Sequence, residues 1–510
     1  MNGNKLVVRC FSLLRLLLLL SSVSTLVEIA DGFGQGDSTA LDEYVARPDP
    51  SYTYRVLPRF IPPRIPKNWK RGKQLLGTMV NTYVLNMTSQ TWLTNDDVDR
   101  SVWWHYMTVT VPGEIDREDT ALLIIKGGDN NDNPPDPFTD TTTQLYGNLA
   151  TTLKMVVATI DQVPNGPIQF SDGLYSNMSD LTIAHTWRLF IENTTDNADW
   201  LLQLPMTKAV VRGMDTVTSF ANSKINRFYM TGASKRGWIT WTTAAVDRRV
   251  VGIVPIVMDM LNLPSSMMHH YRSLGGWSFG LEPYWSENIP SWINHPNFHR
   301  MVNIIDPIHY SSRITIPKLL ITAGNDQLFL PDDSHYYYDH LRGPTFLRIV
   351  PNALHTETGK ESSILVPSFI LMLEKGWRLP KMKWFRSENA THARIVVKTE
   401  LEPRRVGGWI AYTLSETRRD FRRLMAKERG SPESVPQDIL YTPFEVNVLS
   451  PTIFQAAVRI PDHGWACFFV ETQYATPDKN TISTTTEVHI VPSTYSTKTC
   501  NGAECVSDLV

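Results

Sequence analysis

The chain has little cysteine, no excess of charge of one sign and, beyond its N-terminus, no long hydrophobic run. Of its 510 residues 4 are cysteine, and 49 basic residues nearly balance 51 acidic ones. A nearly neutral chain argues against nucleic-acid binding, which needs a basic surface. Because no cluster of histidine and cysteine has ligand spacing, the sequence predicts neither a metal ion nor a cofactor.

The N-terminal residues have the pattern of a secretory signal peptide. Lys5 and Arg9 precede a leucine run, and small residues follow it, with cleavage expected after Ser24 or Ala30. A membrane anchor is the alternative, but the run is short and Arg15 interrupts it. No later segment is long and apolar enough to span a bilayer. We therefore expect a secreted, extracellular protein with no transmembrane segment after signal removal.

Four Asn-X-Ser/Thr sequons are consistent with secretion. They predict N-glycosylation at Asn86, Asn177, Asn193 and Asn389. A single sequon is weak evidence because chance produces many. Four of them behind a signal peptide form a consistent picture.

Three cysteines remain once the signal peptide is removed: Cys467, Cys500 and Cys505. An oxidising compartment favours one disulfide and leaves one thiol over. Cys500 and Cys505 could close a small loop, or Cys467 could reach the tail. The sequence does not choose between these pairings.

Short apolar runs alternate with helical segments from about residue 120 to 375. The strand-like runs are 121–128, 155–160, 227–230, 250–258, 317–322 and 345–350. This alternation predicts a mostly parallel sheet with helices on both faces. Upstream, "WWHYMTVTVPG" alternates at period two and is expected to form an antiparallel edge of the same sheet.

Two regions depart from this alternation of strands and helices. Residues from about 259 to 316 are rich in Met, Trp, Tyr, His and Pro, and they are too many for a simple connection. We predict that they form a helical cap over the strand ends, with aromatic side chains that either line a pocket or pack against the body. Beyond about residue 385, short alternating runs between turn residues predict an all-β sandwich.

The segment "FYMTGASKRGW" places Ser234 between a strand and a helix. A nucleophile elbow needs a strand, a sharp turn with small neighbours, and then a helix. Gly232 and Ala233 supply the small neighbours. The glycine usually found two residues after the serine is replaced by Arg236, and Gly237 follows one residue later. A serine that caps the helix is the alternative.

Partners for Ser234 follow in the order of an α/β-hydrolase, with the acid before the histidine. Asp326 in "AGNDQLFLPDD" and His355 in "PNALHTE" each follow a late strand, so both are expected at the sheet edge that holds Ser234. His355 would take the proton of Ser234, and Asp326 would fix the imidazole tautomer. Three further aspartates are competing acids: Asp259, Asp332 and Asp333.

An acyl-transfer site also needs two backbone N–H groups directed at the developing oxyanion. We assign one to Lys235, directly after the nucleophile, and the other to Gly127 or Gly128 in "KGGDNND". Glycines required only by the turn are the alternative. Arg236 and its neighbour Lys235 either bind an anionic part of the substrate or form salt bridges at the helix start.

The other histidines are interpreted as structural. His335 and Asp339 lie one helical turn apart, but we assign them to a surface or a helix start rather than to a metal ion. His105, His269 and His270 have no partner at ligand spacing.

Five segments together resemble the PhoPQ-activated pathogenicity-related protein family. They are "LPMTKAVVRGMDTV", "GASKRGWITWTTAAVDRRV", "IVMDMLN", "DPIHYSSRITIPKLLITAGNDQLFLPDDSHYYYDHL" and "HGWACFFVE". The resemblance extends over about 40–475 and implies an α/β-hydrolase-type body, a C-terminal β domain and a secreted location. Ser234, Asp326 and His355 lie where that family's triad would. The family tends to have Gly-Asp-Glu-Phe-Phe in the acid loop, whereas 325–329 read Asn-Asp-Gln-Leu-Phe.

The expected fold class is α/β: an α/β-hydrolase-like, mostly parallel sheet with a helical cap insertion, plus a C-terminal all-β sandwich. The expected segments are a signal peptide (1–30), a hydrolase-like domain (31–384), a sandwich-like domain (385–497) and a tail (498–510). We expect a serine hydrolase acting on a small-molecule or peptide ester or amide. The alternative is a secreted signalling or binding protein with a cell-surface partner, because the family includes a proliferation repressor and this fold also hosts non-enzymes.

Overall fold

The computed structural model describes residues 38–57, 80–192, 197–378, 380–476 and 480–510. The predicted signal peptide and the sequon asparagine Asn193 lie outside the described residues. Residues Ala40–Val510 form one unit. No helix in the described ranges is both long and apolar enough to cross a membrane.

Most of the first eleven strands belong to one large sheet. In chain order they are β1 (Thr53–Val56), β2 (Val80–Thr91), β3 (Val102–Pro112), β4 (Thr120–Ile125), β5 (Val156–Ile160), β6 (Ile168–Gln169), β7 (Tyr175–Ser176), β8 (Arg227–Ala233), β9 (Val250–Ile256), β10 (Lys318–Ala323) and β11 (Thr345–Val350). β6 and β7 form a separate hairpin, and the other nine follow the order β1-β2-β3-β5-β4-β8-β9-β10-β11.

The large sheet is mostly parallel, as the sequence predicts. β5, β4, β8, β9, β10 and β11 are parallel neighbours. β1, β2 and β3 pair antiparallel at one edge, where the period-two segment was expected. All six residues of β10 are buried, the pattern of a parallel strand covered on both faces.

Helices cover both faces of this sheet. In chain order they are α1 (Ala40–Ala46), α2 (Thr141–Leu153), α3 (Ser179–Glu192), α4 (Gln203–Phe220), α5 (Lys235–Val246), α6 (Leu263–Leu274), α7 (Glu282–Ser286), α8 (Pro296–Ile305) and α9 (Gly359–Glu374). Leu122 and Leu123 are neighbours on β4 but belong to different apolar clusters, because successive strand residues point to opposite faces. α4 and α5 pack on the Leu123 face, and α2 and α9 pack on the Leu122 face.

The segment between β9 and β10 is helical and forms the predicted cap. It holds α6, α7 and α8 together with the 3₁₀ helices Phe279–Leu281, Ile289–Trp292 and Pro307–Tyr310. Some of its aromatic side chains, such as Phe298, are fully buried in the core. Others contribute to a cavity near Ser234.

The C-terminal region is built from antiparallel strands, as predicted. They are β12 (Met382–Glu388), β13 (His392–Thr399), β14 (Arg405–Tyr412), β15 (Leu424–Ala426), β16 (Ser434–Pro436), β17 (Thr442–Phe444), β18 (Asn447–Ser450), β19 (Ile453–Arg459), β20 (Ala466–Ala475), β21 (Thr481–Thr485) and β22 (His489–Val491). One sheet has the order β12-β13-β19-β18, and the other has β17-β14-β20-β21 with β22 beside β20. Ile395 and Phe468, one from each sheet, share an apolar core.

Candidate active site

Ser234 lies on the turn between β8 and α5. Its φ of 57° and ψ of −129° put a non-glycine residue in a conformation that costs strain energy. Its backbone N–H donates to Ile256 O at 2.8 Å, which ties the turn to β9. The Ser234 side chain makes no capping hydrogen bond to α5. The hydroxyl is therefore not used as a helix cap.

Two glycines allow this turn to be tight. A Cβ on Gly232 would lie 2.6 Å from Arg236 O, so a side chain there would collide with the first turn of α5. A Cβ on Gly237 would lie 2.9 Å from the Cβ of Met258 and 3.2 Å from Gly232 O. Gly237 therefore allows α5 to pack closely against the ends of β8 and β9. This packing accounts for a glycine three residues after Ser234 rather than two.

Asp326 and His355 are hydrogen bonded to each other. The distance from His355 Nδ1 to Asp326 Oδ2 is 2.8 Å. The other oxygen of Asp326, Oδ1, accepts from the N–H of Leu328 at 2.7 Å and of Phe329 at 3.3 Å. The carboxylate is thus fixed by its own loop, and it binds the imidazole through Nδ1.

The second imidazole nitrogen of His355, Nε2, makes no hydrogen bond to any described residue. Nε2 is buried and has no hydrogen-bonding partner among the described residues, so it is not bonded to Ser234 Oγ. The ring of Phe329 packs edge-on against His355, with centroids 5.5 Å apart. Phe329 and Ser234 line the same cavity. Hydrogen bonds of this kind are often long in unliganded sites and tighten with substrate.

The competing acid Asp332 binds other partners. Its carboxylate accepts from Arg419 Nη2 at 2.7 Å and lies 2.8 Å from Nε2 of His269. Although burial alone would raise the pKa of Asp332, Arg419 and His269 lower it well below its ordinary value. His269 is thereby part of a buried ionic cluster, which agrees with its structural assignment.

Asp259 and Asp333 are also engaged elsewhere. Asp259 accepts a hydrogen bond from Tyr337 OH, and burial raises its pKa well above the usual range. Asp333 accepts from the N–H of Leu330 at 2.9 Å, and burial raises its pKa too. Of the four carboxylates, Asp326 is the one hydrogen bonded to His355.

The remaining histidines have structural contacts. His105 is fully buried between Ser89 Oγ and the carbonyl oxygen of Asp161, each 2.9 Å from a ring nitrogen. His335 Nε2 lies 2.9 Å from Val488 O. No group of His, Cys, Asp and Glu within the described ranges could hold a metal ion.

The predicted oxyanion donors lie on either side of Arg236. Lys235 is the first residue of α5, where a backbone N–H has no acceptor within the helix. A Cβ on Gly127 would overlap the guanidinium group of Arg236, so the glycine loop contacts the side chain of that residue. Gly128 has a φ of 147°, which a side chain would strain. The loop thus needs glycine for its geometry, and it contacts α5 through the Arg236 side chain. Neither Gly127 nor Gly128 is among the residues that line the cavity beside Ser234.

Lys235 and Arg236 point to different surroundings. Arg236 Nε donates to Val163 O at 2.6 Å, and Arg236 is not among the residues that line the cavity beside Ser234. Lys235 does line it, and its Nζ lies 2.7 Å from Asp180 Oδ2. Burial lowers the pKa of Lys235, and the Asp180 carboxylate opposes that shift. A salt bridge at the helix start was the alternative interpretation for Lys235, but its partner Asp180 was not predicted, because Asp180 lies far away in the sequence on α3.

The cavity beside Ser234 is small and mainly apolar, with a volume of about 60 Å³. Its lining residues are Asp180, Trp187, Ser234, Lys235, Trp238, Met258, Met260, Leu263, Met267, Trp277, Leu281, Tyr284, Trp285, Pro290, Leu328 and Phe329. Trp277, Tyr284 and Trp285 come from the cap, so part of its aromatic content lines a pocket. The only charged groups in the lining are the paired Asp180 and Lys235.

The unusual acid loop is held by its own polar side chains. Gln327 Oε1 accepts from the backbone N–H of His355 at 3.1 Å, so the acid loop supports the histidine loop directly. Asn325 Nδ2 donates to Phe421 O at 2.7 Å. Ser278 Oγ, in the cap, donates to Gln327 O. The sequence did not indicate these supporting contacts.

The described sequon asparagines differ in exposure. Asn177 and Asn389 are exposed, whereas Asn86 is half-buried on β2. Among the cysteines, Cys500 and Cys505 form a disulfide, which closes the small loop. Cys467 is a buried thiol, 3.1 Å from Tyr441 OH.

Comparison with known proteins agrees with the resemblance seen in the sequence. A family model described as PhoPQ-activated pathogenicity-related protein matches residues 63–422. Autocrine proliferation repressor protein A of Dictyostelium discoideum is 32% identical over 98% of this chain and 97% of its own. Acetyl xylan esterase 1 from Thermoanaerobacterium sp. JW/SL YS485 matches 66% of this chain and 96% of its own (16% identity, TM-score 0.43). An acetyl xylan esterase from Paenibacillus sp. R4 matches 66% and 92% (15% identity, TM-score 0.42). The family match covers well over half of the chain, and the chain belongs to the PhoPQ-activated pathogenicity-related protein family.

Proposed function

We propose that this protein is a serine hydrolase that cleaves an ester or amide through Ser234, His355 and Asp326. The observation that carries the proposal is the Asp326–His355 pair, which leaves His355 Nε2 buried and without a hydrogen-bonding partner among the described residues. Phe329, whose ring packs against His355, lines the cavity that also contains Ser234. A solvent-shielded nitrogen without a partner is available to accept the proton of a nucleophile. The strained turn at Ser234 presents such a nucleophile.

The reaction would pass through an acyl-enzyme. Ser234 Oγ bonds to the substrate carbonyl carbon while its proton moves to His355 Nε2, and Asp326 stabilises the imidazolium. The carbonyl oxygen becomes an oxyanion that the Lys235 N–H and the glycine loop would stabilise. His355 then protonates the leaving alcohol or amine as its bond to the carbonyl carbon breaks. A water molecule then attacks the acyl-enzyme while His355 takes its proton, the bond from Ser234 Oγ to the acyl carbon breaks, and the carboxylic acid is released.

A fluorophosphonate probe tests the nucleophile directly. We expect the probe to label Ser234, with the adduct located by peptide mass spectrometry, and Ser234→Ala to abolish both labelling and hydrolysis of a panel of acyl esters and peptide amides. Ser363→Ala is a matched control, because Ser363 is exposed on α9 and hydrogen bonds to Lys360 O. Folded protein that is not labelled would contradict the proposal.

We also propose that the protein is secreted and glycosylated. The predicted signal peptide, the Cys500–Cys505 disulfide and the exposure of Asn177 and Asn389 support this location. Expression in a eukaryotic host should place the protein in the medium with a mass that falls on enzymatic removal of N-glycans. Intracellular, unglycosylated protein would contradict it.

A signalling or binding role is the second candidate. It is supported by the name of the Dictyostelium relative, Autocrine proliferation repressor protein A. In this case the hydrolase scaffold would bind a cell-surface partner without chemistry. A proliferation assay with Ser234→Ala separates the two, because the variant keeps its effect on cells only if catalysis is not required.

A further inference from the structure

The segment 506–510 is inserted beside the cap. The Trp277 N–H donates to Asp508 O at 2.9 Å, and the Val510 N–H donates to Trp277 O at 2.8 Å, so a parallel bridge joins Trp277 to Leu509. Leu509 is fully buried, and its carbonyl accepts from the N–H of Gly430 at 2.8 Å. The segment is therefore joined to the cap by an isolated β-bridge, with Leu509 and Val510 buried.

The same segment binds the polar edges of two cavity-lining tryptophans. Trp277 Nε1 donates to Cys505 O at 2.7 Å, and Trp285 Nε1 lies 3.2 Å from the carbonyl oxygens of both Val506 and Ser507. A buried indole is fixed in orientation when its single N–H has a defined acceptor. Both rings line the cavity that contains Ser234. Residues 505–507 thus determine where these rings stand.

Both ends of the segment are anchored. At one end lies the Cys500–Cys505 disulfide loop, where Asn294 Nδ2 donates to Cys500 O at 3.1 Å. At the other end the buried Arg422 donates from Nη1 to Val510 O at 2.9 Å. The fit is close along its length, since a Cβ on Gly276 would lie 2.5 Å from Asp508 O. The segment is held firmly enough to act as a fixed support for the two tryptophan rings.

The cavity that Trp277 and Trp285 line suits the acyl part of a substrate. The acyl group stays on Ser234 while the leaving group must depart, so a small, mainly apolar cavity beside Ser234 is suited to the part that remains. Its only charges, Lys235 and Asp180, neutralise each other at 2.7 Å. A charged acyl chain would lose its hydration there without gaining a free counter-ion.

We propose that residues 505–510 hold Trp277 and Trp285 in place as walls of an acyl pocket, and that the substrate carries a short, uncharged acyl group. This inference rests on the proposed hydrolase function. It assigns the acyl-length limit to a segment more than 270 residues from Ser234 in the sequence. Trp277 and Trp285 are the specificity-determining side chains, and the segment positions them.

The test compares p-nitrophenyl acetate, butyrate and octanoate. Wild-type protein should favour acetate and butyrate over octanoate by about tenfold or more in kcat/KM, because pocket length is read methylene by methylene. Removal of 506–510 should raise the octanoate-to-acetate ratio about tenfold. Trp285→Phe keeps an aromatic ring but removes the indole N–H, and it should also raise the octanoate-to-acetate ratio. This variant tests the inference even if the truncated chain does not fold. Trp409→Phe is the control, because that indole bonds to Glu471.

An equal rate on all three esters, or an unchanged ratio in Trp285→Phe and in the folded truncated chain, would overturn the inference. Binding of butanamide and decanamide to the Ser234→Ala variant, measured by tryptophan fluorescence, tests the pocket inference separately from the hydrolase proposal. If no ester is hydrolysed but butanamide binds more tightly and Trp285→Phe removes that preference, the hydrolase proposal fails and the pocket inference stands. If Ser234-dependent hydrolysis occurs without a length preference, the pocket inference fails alone.

Discussion

Asp326 Oδ2 lies 2.8 Å from His355 Nδ1, and both side chains are buried. The bond fixes the imidazole by one nitrogen, so a neutral His355 carries its proton on Nδ1 and has a lone pair on Nε2. Asp332, only six residues further along the chain, is bonded instead to Arg419 and His269. Two buried carboxylates that are close in the sequence thus have different partners. Asp326 belongs to the candidate catalytic pair, and Asp332 belongs to an ionic cluster.

Asp326→Asn should remove activity without unfolding the protein. The amide keeps the size of the side chain but loses the charge that stabilises the imidazolium, so we expect kcat to fall by up to about 10⁴-fold. Ester hydrolysis and a thermal melt measure the two effects. Substantial activity in this variant would show that Asp326 is not the acid.

Asp332→Asn should instead lower stability, because it leaves the buried Arg419 without its carboxylate partner. Loss of one member of a buried pair costs about 3–5 kcal/mol. The folded pKa of Asp332 is below its ordinary value, so its contribution is full above about pH 4 and is lost as the pH falls further. Urea unfolding at pH 6 and pH 3 should show a larger difference between wild type and variant at pH 6. Equal differences would contradict this linkage.

The buried His105 should make the free energy of unfolding decrease as the pH falls below 7. Burial lowers its pKa from 6.5 to about 4, so between these values the unfolded chain binds a proton that the folded chain does not. Stability therefore rises with pH across that window, by about 3 kcal/mol for this group. His105→Gln should flatten the unfolding free energy between pH 7 and 5, whereas replacing the exposed His463 should not.

Gly232→Ala should damage the elbow. The added Cβ would lie 2.6 Å from a backbone oxygen, so we expect a loss of about 1–3 kcal/mol and of fluorophosphonate labelling. Gly407→Ala is the control, because a Cβ there meets nothing within 4 Å. An equally stable and equally labelled Gly232→Ala would mean that the turn is looser than described.

Gln327 should act as a positioning residue for His355. Gln327→Ala loses the acceptor for the His355 N–H, at a cost of about 1 kcal/mol, or roughly fivefold in kcat, with KM unchanged. Gln327→Glu, the residue that the family tends to have, keeps an acceptor and should restore the rate. A change in KM alone, or no rescue by glutamate, would argue against this role.

Local sequence signals predicted the parts of the structure that depend on local chemistry. All six apolar runs of the body became strands of the parallel sheet, because a strand buried on both faces needs a continuous apolar stretch. Asp326 and His355 could be proposed from their places after two such strands, and the structure pairs them. Their catalytic role remains a proposal.

Contacts across long chain separations could not be predicted in this way. Asp180 meets Lys235, and residues 505–510 meet Trp277, only because the folded chain brings distant segments together. In neither pair does the sequence around one partner indicate which residue the other partner will be. The buried pair of Arg419 and Asp332 is similar, since arginine is usually exposed and only its counter-ion explains its burial.

The placement of Gly237 bears on how strand–turn–helix serine motifs are recognised in sequences. In this chain the residue without a side chain stands where α5 passes the strand ends, and that position is three residues after Ser234. Searches keyed to a fixed interval between serine and glycine will pass over chains built in this way. A criterion based on helix-crossing register would retain them.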